Sequence, residues 1–81
     1  MPTQKKIYIV SGSEDGNLAV CTNVKEAYKV VTNYLEIEGS KVKESYSQVV
    51  KGIKETGYIT CNRDNSTYAT CDITLFYTNN Y

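Results

Sequence analysis

The chain has 81 residues, nine Lys plus Arg against nine Asp plus Glu, a net charge of zero and no histidine. That length holds residues 1–81 to a single domain. The balanced charge removes the cationic surplus with which proteins displace counterions from duplex nucleic acid. The missing imidazole removes the usual general base, metal ligand and proton switch near neutral pH.

The first six residues are polar and basic and carry no signal-peptide pattern, and no apolar run approaches the ~18–20 residues of a membrane span. A cytoplasmic protein (the host cytoplasm, if viral) that does not engage membranes is therefore expected. Lys5 to Ser11 alternates and is rich in β-branched residues, which predicts a strand with Ile7 and Ile9 on one face and Tyr8 and Val10 on the other. Gly12 to Asn17 reads as a turn centred on Asp15-Gly16, and Leu18 to Thr22 as a short strand returning antiparallel.

Val24, Ala27, Tyr28, Val31, Tyr34 and Leu35 then recur at helical spacing, so the sequence predicts a helix between Asn23 and Gly39. Asn23 supplies the N-cap, Glu26 occupies the capping-box position, and Gly39 offers a left-handed stop. A second stripe, Val42, Tyr46, Val49, Val50 and Ile53, predicts another helix from Ser40 to a stop at Gly57. Gly52 inside it costs about 1 kcal/mol against alanine and marks either a close approach or an imperfection.

Tyr58 to Asn62 reads as a third strand, Arg63 to Ser66 as a turn, and Thr67 to Thr78 as the longest strand, ahead of a frayed end at Asn79 to Tyr81. Ala69, Cys71, Ile73, Leu75 and Tyr77 share one side of that last strand. Two striped helices need one apolar sheet face to cover. The expected fold is a two-layer α+β sandwich in the order β-β-α-α-β-β, a four-stranded, mainly antiparallel sheet with both helices on one face. Its core would take Ile7, Ile9, Ala19, Cys21, Ala27, Tyr28, Val31, Leu35, Val49, Val50, Ile53, Ile59, Cys61, Ile73 and Leu75.

That packing leaves Tyr8, Val10, Tyr58, Thr60, Tyr68, Thr70, Thr74 and Phe76 on the uncovered face. Eight Tyr against one Phe and no Trp supply rigid amphipathic contact material. The candidate binding residues are therefore Tyr8, Tyr58, Thr60, Tyr68, Thr74 and Phe76. The last strand also outruns its hairpin mate, so its half near Thr74 to Tyr77 is free to pair with the edge of another chain, which predicts a homodimer or higher oligomer.

No residue set points to catalysis, so the chain is read as not an enzyme and without cofactor or metal. Ser11, Ser13, Cys21, Cys61 and Cys71 have no histidine to activate them. Glu14-Asp15 and Glu36/Glu38 lack partners at metal-site spacing. The three cysteines lack CxxC spacing and read as reduced, buried apolar residues, with a Cys61–Cys71 cross-strand bridge left open because sequence does not give its geometry.

The run Ile7-Tyr8-Ile9-Val10-Ser11-Gly12, then Glu14-Asp15-Gly16, then Ala19-Val20-Cys21-Thr22-Asn23 into Lys25-Glu26-Ala27-Tyr28, resembles the start of small bacteriophage accessory proteins. In these a strand turns back through an acidic glycine turn, and a second strand runs into a helix. The resemblance covers residues 6–35 and nothing from Ser40 onward. It implies a virus-encoded, non-enzymatic, often oligomeric protein that inhibits a host enzyme or an anti-phage defence protein, or a sponge for a nucleotide signal. From the residues, a sponge would set Tyr, Thr, Lys51, Lys54 and Arg63 around the nucleotide at a subunit interface. Single-stranded nucleic-acid binding, with Tyr8, Tyr58 and Phe76 stacking on bases, ranks third because of the zero net charge.

Overall fold

The computed structural model describes residues 3–37, 39–65 and 69–80. Its elements follow the expected order: β1 (Thr3–Gly12), β2 (Gly16–Cys21), α1 (Val24–Leu35), α2 (Tyr46–Thr56), β3 (Tyr58–Asn62) and β4 (Thr70–Asn80). The strands form one antiparallel sheet in the order β2-β1-β4-β3, so β1 and β4 are its central pair. They pair from Thr3 opposite Asn80 to Gly12 opposite Cys71. Both helices pack on one face, α1 against β1 and β2 and α2 against β3 and β4.

The helix ends show which local signals hold. The Asn23 side chain accepts the Glu26 N–H at 2.8 Å and starts α1. The helix stops at Leu35, short of Gly39, because Arg63 and Ser40 take over its last carbonyl. The Leu35 carbonyl accepts from Arg63 Nε at 2.9 Å and lies 2.8 Å from the buried Ser40 hydroxyl. Gly39 does adopt a left-handed φ of +83°, but inside the linker.

The second helix begins at Tyr46 rather than Ser40. Ser45 and Gln48 close a reciprocal capping box, an S-x-x-Q signature present in the sequence. Upstream, Val42 is extended and bridges to Arg63, with the Lys43 N–H on the Asn62 carbonyl and the Asp64 N–H on the Lys41 carbonyl. That pairing satisfies backbone groups a helix would otherwise have claimed. Gly57 ends α2 as expected, at a φ of +76°. Gly52 marks a close approach: a Cβ there would stand 2.9 Å from Ile59 Cδ1 on the strand beneath.

The main correction concerns β1. Tyr8 and Val10, expected on the open face, lie under the helices and are buried, while Ile7 and Ile9, expected in the core, face outward and are half-buried. Register sets this choice. Cross-strand partners share a face, and Tyr8 lies opposite Leu75 and Cys21, Val10 opposite Ile73 and Ala19. Gly12 falls on the same inward side, where the Tyr34 ring lies over it. The core is Tyr8, Val10, Cys21, Ala27, Val31, Leu35, Val49, Ile53, Cys61, Ala69, Cys71 and Ile73, with Ala19, Tyr28, Ile59 and Leu75 partly buried against it. Val50 is half-buried at a groove wall.

Asn79 and Asn80, expected to fray, extend β4 and pair with Gln4 and Thr3. Ser66, Thr67, Tyr68 and Tyr81 lie outside the described residues.

Gly12 tests the helix-on-sheet contact directly. An alanine Cβ there would stand 2.5 Å from Tyr34 Cζ, so Gly12→Ala must displace that ring and is expected to cost about 1 kcal/mol or slightly more in urea unfolding. In a Tyr34→Ala background the same substitution should cost almost nothing, a non-additivity that a double-mutant cycle reads.

Candidate functional site

Among the described residues, no helix covers the outer face of the sheet. Strand alternation and register put Lys5, Ile7, Ile9 and Ser11 of β1 on it. Val20 of β2, Tyr58 and Thr60 of β3, and Asp72, Thr74, Phe76 and Thr78 of β4 join them.

Three pairings draw these into a row across all four strands: Val20 opposite Ile9, Ile9 opposite Thr74, and Thr74 opposite Tyr58. The neighbouring pair, Ile7 opposite Phe76, widens the row. Val20 is 66% exposed, and Tyr58 and Phe76 are each 47% exposed. Polar rows flank it. Ser11, Asp72 and Thr60 stand opposite one another on one side, and Lys5 stands opposite Thr78 on the other. The Tyr58 hydroxyl lies 2.8 Å from Thr60 Oγ1, which ties the ring down along its own strand.

Of the six residues singled out in the sequence, Tyr58, Thr60, Thr74 and Phe76 come together here. Tyr8 does not: its ring is buried under the helices at 8% exposure, so neither a partner nor a stacked base can reach it on this face. Tyr68 lies outside the described residues. Sequence reasoning missed Ile7, Ile9 and Val20. Ile7, Tyr8, Ile9 and Val10 are apolar at both alternate positions, and the parity becomes readable only once β1 is set against β4.

Two groups elsewhere that could carry chemistry, Arg63 and Glu44, have structural partners. Arg63 is held by the end of α1. Glu44 accepts the Asn62 N–H at 2.7 Å and the Asn62 side-chain amide at 3.2 Å, and its carbonyl accepts the Tyr28 hydroxyl at 2.8 Å. Among the described residues, no group of three or more His, Cys, Asp or Glu is placed to hold a metal ion, and no helix is long and apolar enough to cross a membrane.

A smaller groove of about 280 Å³ lies on the helix side, between the start of α1, the far half of α2 and the projecting ends of β1 and β4. Val24, Val50 and Leu75 line it, with Lys6, Lys54 and Tyr77.

The cysteines are free thiols, and Cys61 and Cys71 stand opposite each other on the core face, both fully buried. Burial, then the Glu44, Cys71 and Asp72 charges, push the Cys61 thiol up to about 12; burial, then Asp72, do the same for Cys71. These thiols are not activated nucleophiles.

Comparison with protein-family models, with curated proteins and with solved structures found no match.

The thiols give the stability a pH dependence. Each ionises near 9 when unfolded and near 12 when folded, so the folded state holds its protons more tightly. Their contribution is complete below pH 9 and is lost as pH rises toward 12. Urea midpoints followed from pH 8 to pH 11 should fall, and a Cys61→Ala/Cys71→Ala variant should lose less over the same range.

Proposed function

We propose that this chain is a non-enzymatic binding protein that presses its open sheet face against a partner protein, as a phage-type inhibitor of a host or defence protein would. The observation that carries the reading is the row Val20, Ile9, Thr74 and Tyr58 with Ile7 and Phe76 beside it, contiguous, apolar except for the Thr74 and Tyr58 hydroxyls, and covered by none of the described elements. Monomeric proteins rarely leave such a surface without an occupant. Its make-up suits an interface: two half-exposed aromatic rings on the β3–β4 side, the aliphatic Ile7, Ile9 and Val20 beside them on β1 and β2, and Lys5 and Asp72 on flanking rows to set orientation. The absence of histidine and the structural engagement of Arg63 and Glu44 favour binding over catalysis.

Photocrosslinking from position 76 in host lysate, followed by binding measurements on the captured protein, tests the proposal. Tyr58→Ala and Phe76→Ala should each weaken that complex by about tenfold or more, while unfolding free energy changes by no more than about 1 kcal/mol because both rings are half exposed. Full affinity in the double variant would remove this face from the reading. Loss of several kcal/mol of stability would make the rings core.

A nucleotide sponge is the second reading, and the groove favours it. Lys6 and Lys54 suit a phosphate, Tyr77 a base, and the walls are apolar. Arg63, held at the end of α1, is not part of that site. A melting-temperature panel of mono- and cyclic nucleotides tests it, because a ligand that binds only the folded chain raises the midpoint by mass action. A shift abolished by Lys54→Ala would support the sponge, and no shift with any nucleotide would discard it.

A further inference from the structure

The central strands outrun their neighbours. β2 reaches along β1 only from Gly12 to Tyr8, and β3 reaches along β4 only to Thr74, opposite Tyr58. Beyond those points β1 and β4 continue as a two-stranded ribbon, out to Thr3 opposite Asn80. The molecule is 48 Å along its longest axis against 24 and 16 Å along the others. Among the described residues, no strand lies beside either outer edge of the ribbon.

The two edges differ. That of β1 carries Lys5 and Lys6, which place like charges together in a self-paired strand and discourage pairing. That of β4 runs Leu75, Phe76, Tyr77, Thr78, Asn79 and Asn80, without a charge.

We infer that the free edge of β4 pairs antiparallel with the same edge of a second copy of this chain. Backbone geometry fixes the register. The Leu75 N–H points away from β1, since it donates to the Gly57 carbonyl at 2.8 Å. By alternation, the N–H and C=O of Tyr77 and Asn79 also point outward, and those of Phe76 and Thr78 bond to β1.

A two-fold pairing that uses only unclaimed outward groups sets Tyr77 against Asn79 of the second copy and Thr78 against Thr78. The contact is isologous and closed. It joins two four-stranded sheets into one of eight strands, with the second β4 running in line with β3. Both open faces then lie on the same side. The pairing stands on the backbone, whatever the open face binds.

Light scattering behind size exclusion at about 100 µM chain tests it, together with two variants. Tyr77→Pro deletes an outward N–H and leaves the bonds to β1 intact. Thr78→Glu sets two like charges opposite each other at the axis, while facing Lys5 across the β1 ladder with the opposite charge. Twice the chain mass is expected for the wild type, with dissociation raised by at least about tenfold in each variant and circular-dichroism melts little changed. As a positive control, Thr78→Cys should form an intermolecular disulfide on mild oxidation, because the non-hydrogen-bonded position brings the two Cβ atoms within reach. A monomeric wild type overturns the inference. So does a dimer that survives both variants, or one that yields to Phe76→Ala but not to them.

Discussion

Everything in this molecule hangs on the pairing of β1 with β4, the ten-residue ladder between the two strands that open and close the described fold. On one side of it stand β2 and α1, on the other β3 and α2. Each half alone is a short hairpin with one helix, too small to bury a core. Joined, they set Val10 against Ile73, both fully buried, at the middle of the sheet beneath α1 and α2. Backbone hydrogen bonds supply the alignment, and apolar side chains meeting under the helices supply most of the free energy.

The same ladder decides what the solvent sees. A central strand is flanked on both sides, and in β1 both alternate sets of residues are apolar. Whichever set turns inward, the other becomes outer surface. The inward set is Tyr8, Val10 and Gly12, chosen by Leu75, Ile73 and Cys71 at the far end of the chain. The outward set is Ile7 and Ile9, which makes the open face more aliphatic than a Tyr/Thr composition suggests. Zero net charge offers that face little general electrostatic protection, so Lys5 and Asp72 on its margins matter for where a partner can sit.

Element identity was legible because each element carries a local period: the stripe on Val24, Ala27, Tyr28, Val31 and Leu35, the Asn23 cap, the Gly57 stop, the alternation of β4. Thr74 and Phe76 fall on the open face as expected because β4 is apolar at odd positions and mixed at even ones, and Tyr58 and Thr60 because they alternate with Ile59 and Cys61, so the parity of these two strands is written in their own residues. The parity of β1 is not, and Tyr8 was misassigned for that reason. The linker failed differently. Val42 falls on the helical stripe by spacing, yet its bridge to Arg63 and the Ser45–Gln48 box hold residues 40–45 out of the helix. A tertiary strand pairing overrode a local period there. Arg63, read from the sequence as a turn residue and a nucleotide ligand of the sponge, instead holds the end of α1, and Glu44 ties the linker to β3.

The placement of β1 and β4 at the middle of the sheet also governs the order in which the chain can assemble. β1 is synthesised first of the six elements and β4 last, so the nascent β1–β2 hairpin keeps one long edge unpaired, and Tyr8 and Val10 lack their partners Leu75 and Ile73, until residues 70–80 arrive. Contacts this distant in sequence close slowly, because loop entropy has to be overcome before any of the core forms. Folding on the ribosome would therefore be a late, single event rather than a stepwise one, and until then the hairpin's exposed edge is where the growing chain is open to misassembly or to a chaperone.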